Sequence, residues 1–219
     1  MRDETAKDVT AKGVTFYFDP ISPYVYLLLS DFDRLPADIA IRPVPILLAA
    51  LLNHSGTKGP AEIPAKRIHT YRQCAWLAQA RKIPFRMPPQ HPFNPLAALR
   101  LLCALGPSLE QARIASHFVF GEGKDPSTPE GIAALGARLG CENAAALASA
   151  PASKDLLRAN TEGALAHGVW GVPTLLIAGE LFWGADSLPM AVDFLRDPGL
   201  FETPQMRRIA TLPIGASRK

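Results

Sequence analysis

The sequence has little of what metal or dithiol chemistry requires. Its 219 residues include three cysteines, Cys74, Cys103 and Cys141, and no two of them form a C-x-x-C pair. Disulfide frameworks and zinc sites need thiols at short, paired spacings, so these read as reduced, buried thiols. The five histidines, His54, His69, His91, His117 and His167, include no i, i+4 pair, and no metal site is expected. Charge of one sign is scarce as well: 23 Lys and Arg against 20 Asp and Glu leave a net +3, and the basic residues are scattered. Nucleic acid demands a basic stripe, so it is not an expected partner. No apolar run approaches the roughly 18 residues of a membrane span, and the opening MRDETAKDVTAKG lacks the apolar stretch of a signal peptide. The expectation is a cytoplasmic protein with no membrane partner.

What is present is a chain 48% apolar and 20% charged, enough for one large domain or a domain with a sizeable insertion. Val14 to Asp19 is β-branched and aromatic and predicts a short buried strand. From Pro23 to Leu35 the apolar residues fall on one helical face, and residues 39–44 predict a second strand, so the chain opens as a β-α-β unit. Ala- and Leu-rich helices follow over about 66–82, 95–105, 108–120, 129–139 and 143–149. Residues 83–93 hold four prolines and must be an ordered loop, because proline removes backbone donors and fixes φ. A helix over 154–167 precedes a strand at 171–177, a turn at 178–180, a strand at 181–183 and a helix over 187–196. The polar tail after residue 203 reads as disordered.

Two motifs carry chemistry. Ser22-Pro23 stands where a strand hands over to a helix. Its plain reading is an N-cap followed by a first-turn proline; the other is a hydroxyl beside free backbone N–H groups, where an anion such as a thiolate is favoured. Gly171-Val172-Pro173-Thr174 opens a buried strand with proline, which fits either an edge strand or a cis peptide whose preceding residue can pair with an extended peptide.

Joined, these features predict an α/β chain with a thioredoxin-like fold and an inserted all-helical domain. Residues 14–45 and 154–200 would form the thioredoxin-like part and 46–153 the insertion, with flexible termini at 1–13 and 203–219. The resemblance is closer still. Ser22-Pro23-Tyr24-Val25-Tyr26 is similar to the S-P-[YF]-S-[YW] signature of the 2-hydroxychromene-2-carboxylate isomerase and kappa-class glutathione transferase family. The segment from Ser55 to Lys66 is similar to that family's S-G-N-x-P-P-x-x-x-P-x-K. Phe93-Asn94-Pro95 to Arg100 resembles its V-N-T-x-x-A-x-R, and Phe182-Trp183-Gly184-Ala185-Asp186-Ser187 resembles its F-x-G-x-D-R.

The resemblance implies glutathione as cofactor, a small aromatic substrate and a homodimer. Ser22 would hold the glutathione sulfur as thiolate, the backbone of Val172 before Pro173 would pair with the cysteinyl part, Lys66 would meet the glycyl carboxylate, and Asp186 the γ-glutamyl ammonium. Thr57 and Ser187 occupy glutathione-contacting positions but depart from the family's asparagine and arginine, and Val25 replaces its second serine. Without the family, Lys66 reads as a solvated lysine and Asp186 as a helix cap. Tyr24, Phe85 and Phe93 are candidates for the substrate wall or for the core. Asn94 is a candidate near the cleft, or an N-cap before Pro95.

A thiol with pKa near 8.5 is only a few per cent ionised at pH 7, and a shift to about 6.5 needs about 2.7 kcal/mol, which one hydroxyl donor and a helix N-terminus can supply. Positions 22 and 25 carry no cysteine, so thiol–disulfide exchange has neither an attacking nor a resolving sulfur there. In the family's isomerase the thiolate adds reversibly to a conjugated double bond and glutathione returns unchanged; in its transferase the thiolate stays on the electrophile. A thioredoxin-like binding protein without catalysis is the third possibility.

Overall fold

A computed structural model describes residues 13–216. The expectations for residues 1–12 and 217–219 lie outside them. Val14–Phe18 (β1) is a strand with Phe16 and Phe18 fully buried, as its β-branched and aromatic content predicts. It pairs in parallel with Ile41–Pro45 (β2) and antiparallel with Thr174–Ile177 (β3), which pairs antiparallel with Glu180–Trp183 (β4). The sheet order is β2-β1-β3-β4. Strand β2 carries Pro43 and Pro45, which give no donor to a ladder, and it is accordingly an edge strand. A two-residue turn joins β3 to β4 with Ala178 and Gly179 both at positive φ, the conformation that matches strand twist in tight hairpins.

Between β1 and β2 lies Pro23–Leu29 (α1), and between β2 and β3 lie Leu48–Ser55 (α2), Pro64–Ala80 (α3), Leu96–Leu105 (α4), Leu109–Phe120 (α5), Pro129–Arg138 (α6), Ala144–Ser149 (α7) and Pro151–Ala166 (α8). Leu188–Arg196 (α9) follows the hairpin. Four of the helices after α1 begin on a proline, which is compatible with the first turn because the missing N–H has no intrahelical partner there. Two helices were not expected from the sequence. One is α2, which ends on Gly56 in the left-handed conformation. The other is Pro204–Ala210 (α10), a helix in the tail read as disordered; the Thr203 hydroxyl caps it by accepting the Met206 N–H.

Helix α5 packs on α1, α4 packs on β2 and α8, and α8 packs on β2. One buried apolar core therefore runs from Phe16 and Phe18 in the sheet through Phe118 and Phe120 of α5 to Leu135 of α6. No helix among the described residues is long and apolar enough to cross a membrane.

Candidate functional site

Because β3 runs antiparallel to β1 and β4, the end of β1, the start of β3 and the end of β4 lie at one end of the sheet. The loops that follow or precede those strand ends carry Ser22, Val172-Pro173 and Asp186. The Gly184 N–H donates to the Pro173 carbonyl at 2.9 Å, and the turn Ala185–Ser187 packs on α1. Ser22, Val172, Pro173, Asp186 and Ser187 are thus gathered on adjoining segments.

Ser22 is 7% exposed, with N-cap backbone angles of φ −89° and ψ 119°. Its side chain does not cap the helix: the backbone has the cap conformation while the hydroxyl bonds none of the α1 N–H groups. Val25, one turn on, is fully buried, so position 25 faces the core. The Val172–Pro173 peptide is cis, and among the described residues the Val172 N–H and C=O take no part in the hydrogen bonds that close this loop. The Ser187 hydroxyl donates to the Gly184 carbonyl at 2.8 Å. Asp186 is exposed and near Tyr24. It leans back over Gly184, where a Cβ would lie 2.4 Å from Asp186 Oδ1.

Tyr24 is half-buried and donates its hydroxyl to Gln73 Oε1 of α3 at 2.7 Å. Burial, with Cys74 adding to it, pushes its pKa up to about 12, so the phenol stays neutral and able to donate at pH 7. Cys74 lies beneath it, its thiol also pushed up to about 12 by burial. All three cysteines are buried and free.

The other candidates are not drawn into this group by any recorded contact. Lys66 is exposed in the first turn of α3, about two turns before Gln73. Thr57 is exposed after α2, its hydroxyl 2.8 Å from that of Ser55. Phe93 is buried, and Phe85 is half-buried, stacked on Phe120 at 6.0 Å. Asn94 Oδ1 accepts the Leu96 N–H at 3.1 Å in an Asx turn, while Pro95 stands at the N-cap of α4, so Asn94 lies one residue ahead of the cap expected of it. A surface cavity of about 590 Å³ lies at the far end of α1, lined by Tyr26, Leu29, Arg113 and His117, and does not include Ser22. Among the described residues no three His, Cys, Asp or Glu side chains group to hold a metal.

Three features escaped the sequence reading. Asp19, fully buried, accepts the N–H groups of Ile21 and Leu48, each at 3.0 Å; burial raises its pKa to about 7 against both bonds. His91 reaches the Ile21 carbonyl from the Pro-rich loop at 2.7 Å. Trp170 and Trp183, each about half exposed, stand 6.1 Å apart beside the Val172 loop. Only Asp19, directly before Pro20 at the strand-to-helix join, carried a local signal, as the acceptor of an Asx turn.

This sheet and its helical region define a thioredoxin-like protein. The model of the DsbA-like thioredoxin domain matches residues 13–196, and the chain belongs to that family. It is 28% identical over 209 residues to glutathione S-transferase kappa 2 of Caenorhabditis elegans, covering 85% of this chain and 93% of that one. It is 29% identical over 190 residues to 2-hydroxychromene-2-carboxylate isomerase of Pseudomonas putida, covering 81% and 91%. A solved 2-hydroxychromene-2-carboxylate isomerase shares the fold with a TM-score of 0.71 at 24% identity, covering 90% of this chain and 97% of that one.

Proposed function

We propose that the protein is a glutathione-dependent isomerase of a small aromatic, conjugated substrate. The observation that carries this reading is the Ser22 hydroxyl, left uncommitted by its own helix at the end of the sheet where positions 22 and 25 hold no thiol. Glutathione, when bound, supplies a thiolate nucleophile. The chain's residues fit it: Val172 offers to an extended peptide an N–H and C=O with no partner among the described residues, Asp186 an exposed carboxylate to an ammonium, and Lys66 an exposed cation to a carboxylate. Ser22 donates to the sulfur and lowers the energy of its anion. Thr57 and Ser187 line the same peptide site. Tyr24, with the Trp170 and Trp183 rings, forms the aromatic side of the substrate pocket. Phe85 and Phe93 are further candidates for that wall, and Asn94 for the rim of the cleft. Three free, buried thiols suit a reducing compartment such as the cytoplasm.

Retention on immobilised glutathione tests the reading first. Turnover of a panel of aromatic enols and benzylidene-pyruvates, dependent on glutathione yet not consuming it, is the expected result. Consumption of glutathione favours the transferase reading, to which the 28% identity with a kappa-class transferase lends support. No retention and no turnover leave a thioredoxin-like binding protein.

A further inference from the structure

The peptide unit that joins Ile21 to Ser22 is bonded at both ends. Its N–H, that of Ser22, donates to the Asp19 carbonyl at 3.0 Å, and its C=O, that of Ile21, lies 2.7 Å from His91 Nε2. A carbonyl can only accept, so Nε2 carries a proton. The other ring nitrogen, Nδ1, is 2.6 Å from the Tyr71 hydroxyl, whose single proton is shared between Nδ1 of the neutral ring and the His91 main-chain carbonyl 3.0 Å away. The ring is edge-on to Tyr71, Phe93 and Phe120, with centroids 5.2, 6.0 and 5.8 Å away. Burial holds the imidazole below its ordinary pKa, against the pull of the Ile21 carbonyl. Tyr71 stands on α3, the helix that carries Lys66 and meets Tyr24 through Gln73.

We propose that His91 is a positioning residue for Ser22: by clamping the Ile21 carbonyl it fixes the plane of the Ile21–Ser22 peptide and so the direction of the Ser22 hydroxyl. The peptide is rigid and planar, so its orientation is set by the two flanking dihedrals. With the carbonyl released, the Asp19 carbonyl alone holds this peptide unit directly, and the flanking bonds, Ile21 N–H to Asp19 Oδ1 and Val25 N–H to the Ser22 carbonyl, must absorb any rotation of the plane that turns Ser22 Cβ. A donor displaced by about 1 Å loses as much as a hundredfold in rate, which is why one second bond matters here. An aromatic filler would meet Phe93 and Phe120 as well as histidine does. It would not reach Ile21 and Tyr71 at once.

This inference rests on the reading of Ser22 as a donor to a thiolate, and its test separates the two. His91→Phe keeps an aromatic ring and removes both bonds; His91→Gln keeps a donor at the position of Nε2. The ultraviolet absorbance of bound glutathione measures the thiolate fraction at neutral pH. His91→Phe is expected to lower it three- to tenfold and kcat about tenfold, with KM for glutathione changed less than about threefold, and His91→Gln to restore most of both. Amide exchange at Ser22, read without ligand, is expected to quicken about tenfold in His91→Phe while Leu175 in β3 keeps its rate. If the wild-type protein takes up no glutathione, the thiolate reading fails and the exchange arm alone decides the positioning claim. An unchanged Ser22 exchange rate overturns the inference. So does a thiolate fraction unchanged in a protein that binds glutathione.

Discussion

Ser22 spends its backbone on the start of α1 and keeps its hydroxyl free. Ser22→Ala is therefore expected to cost well under the ~1 kcal/mol of a lost side-chain cap. On the proposed chemistry it lowers the glutathione-dependent rate at pH 7 ten- to a thousandfold, the range for losing a charge-assisted donor worth ~1.5–4 kcal/mol. Activity returns as pH climbs toward the free thiol's pKa, and a pH–rate profile beside a melting curve checks both parts. Asp19 makes a different prediction. Its folded pKa, about 7, lies above the ordinary carboxyl value of 3.8, so the folded state binds the proton more tightly than the unfolded chain. The associated stability is complete below pH 4 and is lost as pH rises through 7. Relative to Asp19→Asn, the wild-type protein should lose on the order of 4 kcal/mol at most between those limits, measured by urea unfolding at several pH values. The sequence made Ser22 legible because Ser-Pro at a strand-to-helix join is a local pattern. It hid His91, whose partners Ile21 and Tyr71 lie 70 and 20 residues away, distances over which no motif speaks.

Helix positions were readable wherever an apolar stripe ran between Pro or Gly breaks, and the observed bounds of α3 to α8 fall close to the expected ones. The short α2 escaped because Leu47 to Leu52 is apolar almost throughout and shows no 3.6-residue period. Its place is set instead by a distant group, Asp19, which accepts the Leu48 N–H at its start. Two glycines inside helices make opposite predictions. At Gly136 in α6 an added Cβ would lie 2.3 Å from the Ala144 Cβ and 2.7 Å from the Cys141 carbonyl, so α6 and α7 would have to part. Gly136→Ala gains up to ~1 kcal/mol of helix propensity and loses ~1–3 kcal/mol to overpacking, a net loss. Gly163 in α8 meets nothing within 4 Å, and Gly163→Ala should stabilise the protein by up to ~1 kcal/mol. Denaturant midpoints of the two variants decide it.

Across the molecule, the apolar residues left outside the core gather partly on α3, where Ile68 and Trp76 are 52% and 65% exposed, two turns apart on one side. The homodimer that the family resemblance implies would cover such surface. Sedimentation at micromolar concentration should give twice the chain mass, and Trp76→Glu should shift it toward one; a wild-type monomer removes the dimer from the reading.

The strand that leads to Ser22 is also the one whose neighbours arrive furthest apart in time. β1 meets β2 almost at once, but Val14 pairs with Ile177, and the Tyr17 hydroxyl finds His167 150 residues along the chain. A nascent chain therefore leaves the ribosome with β1 open on one side while the helices between the two pairings condense. Closing so long a loop delays the last contacts, and an unpaired strand edge is an invitation to wrong partners until they form. The peptide site proposed at Val172 cannot exist before β3 emerges, so a chain halted anywhere upstream carries Ser22 without the segment that the proposal pairs with it.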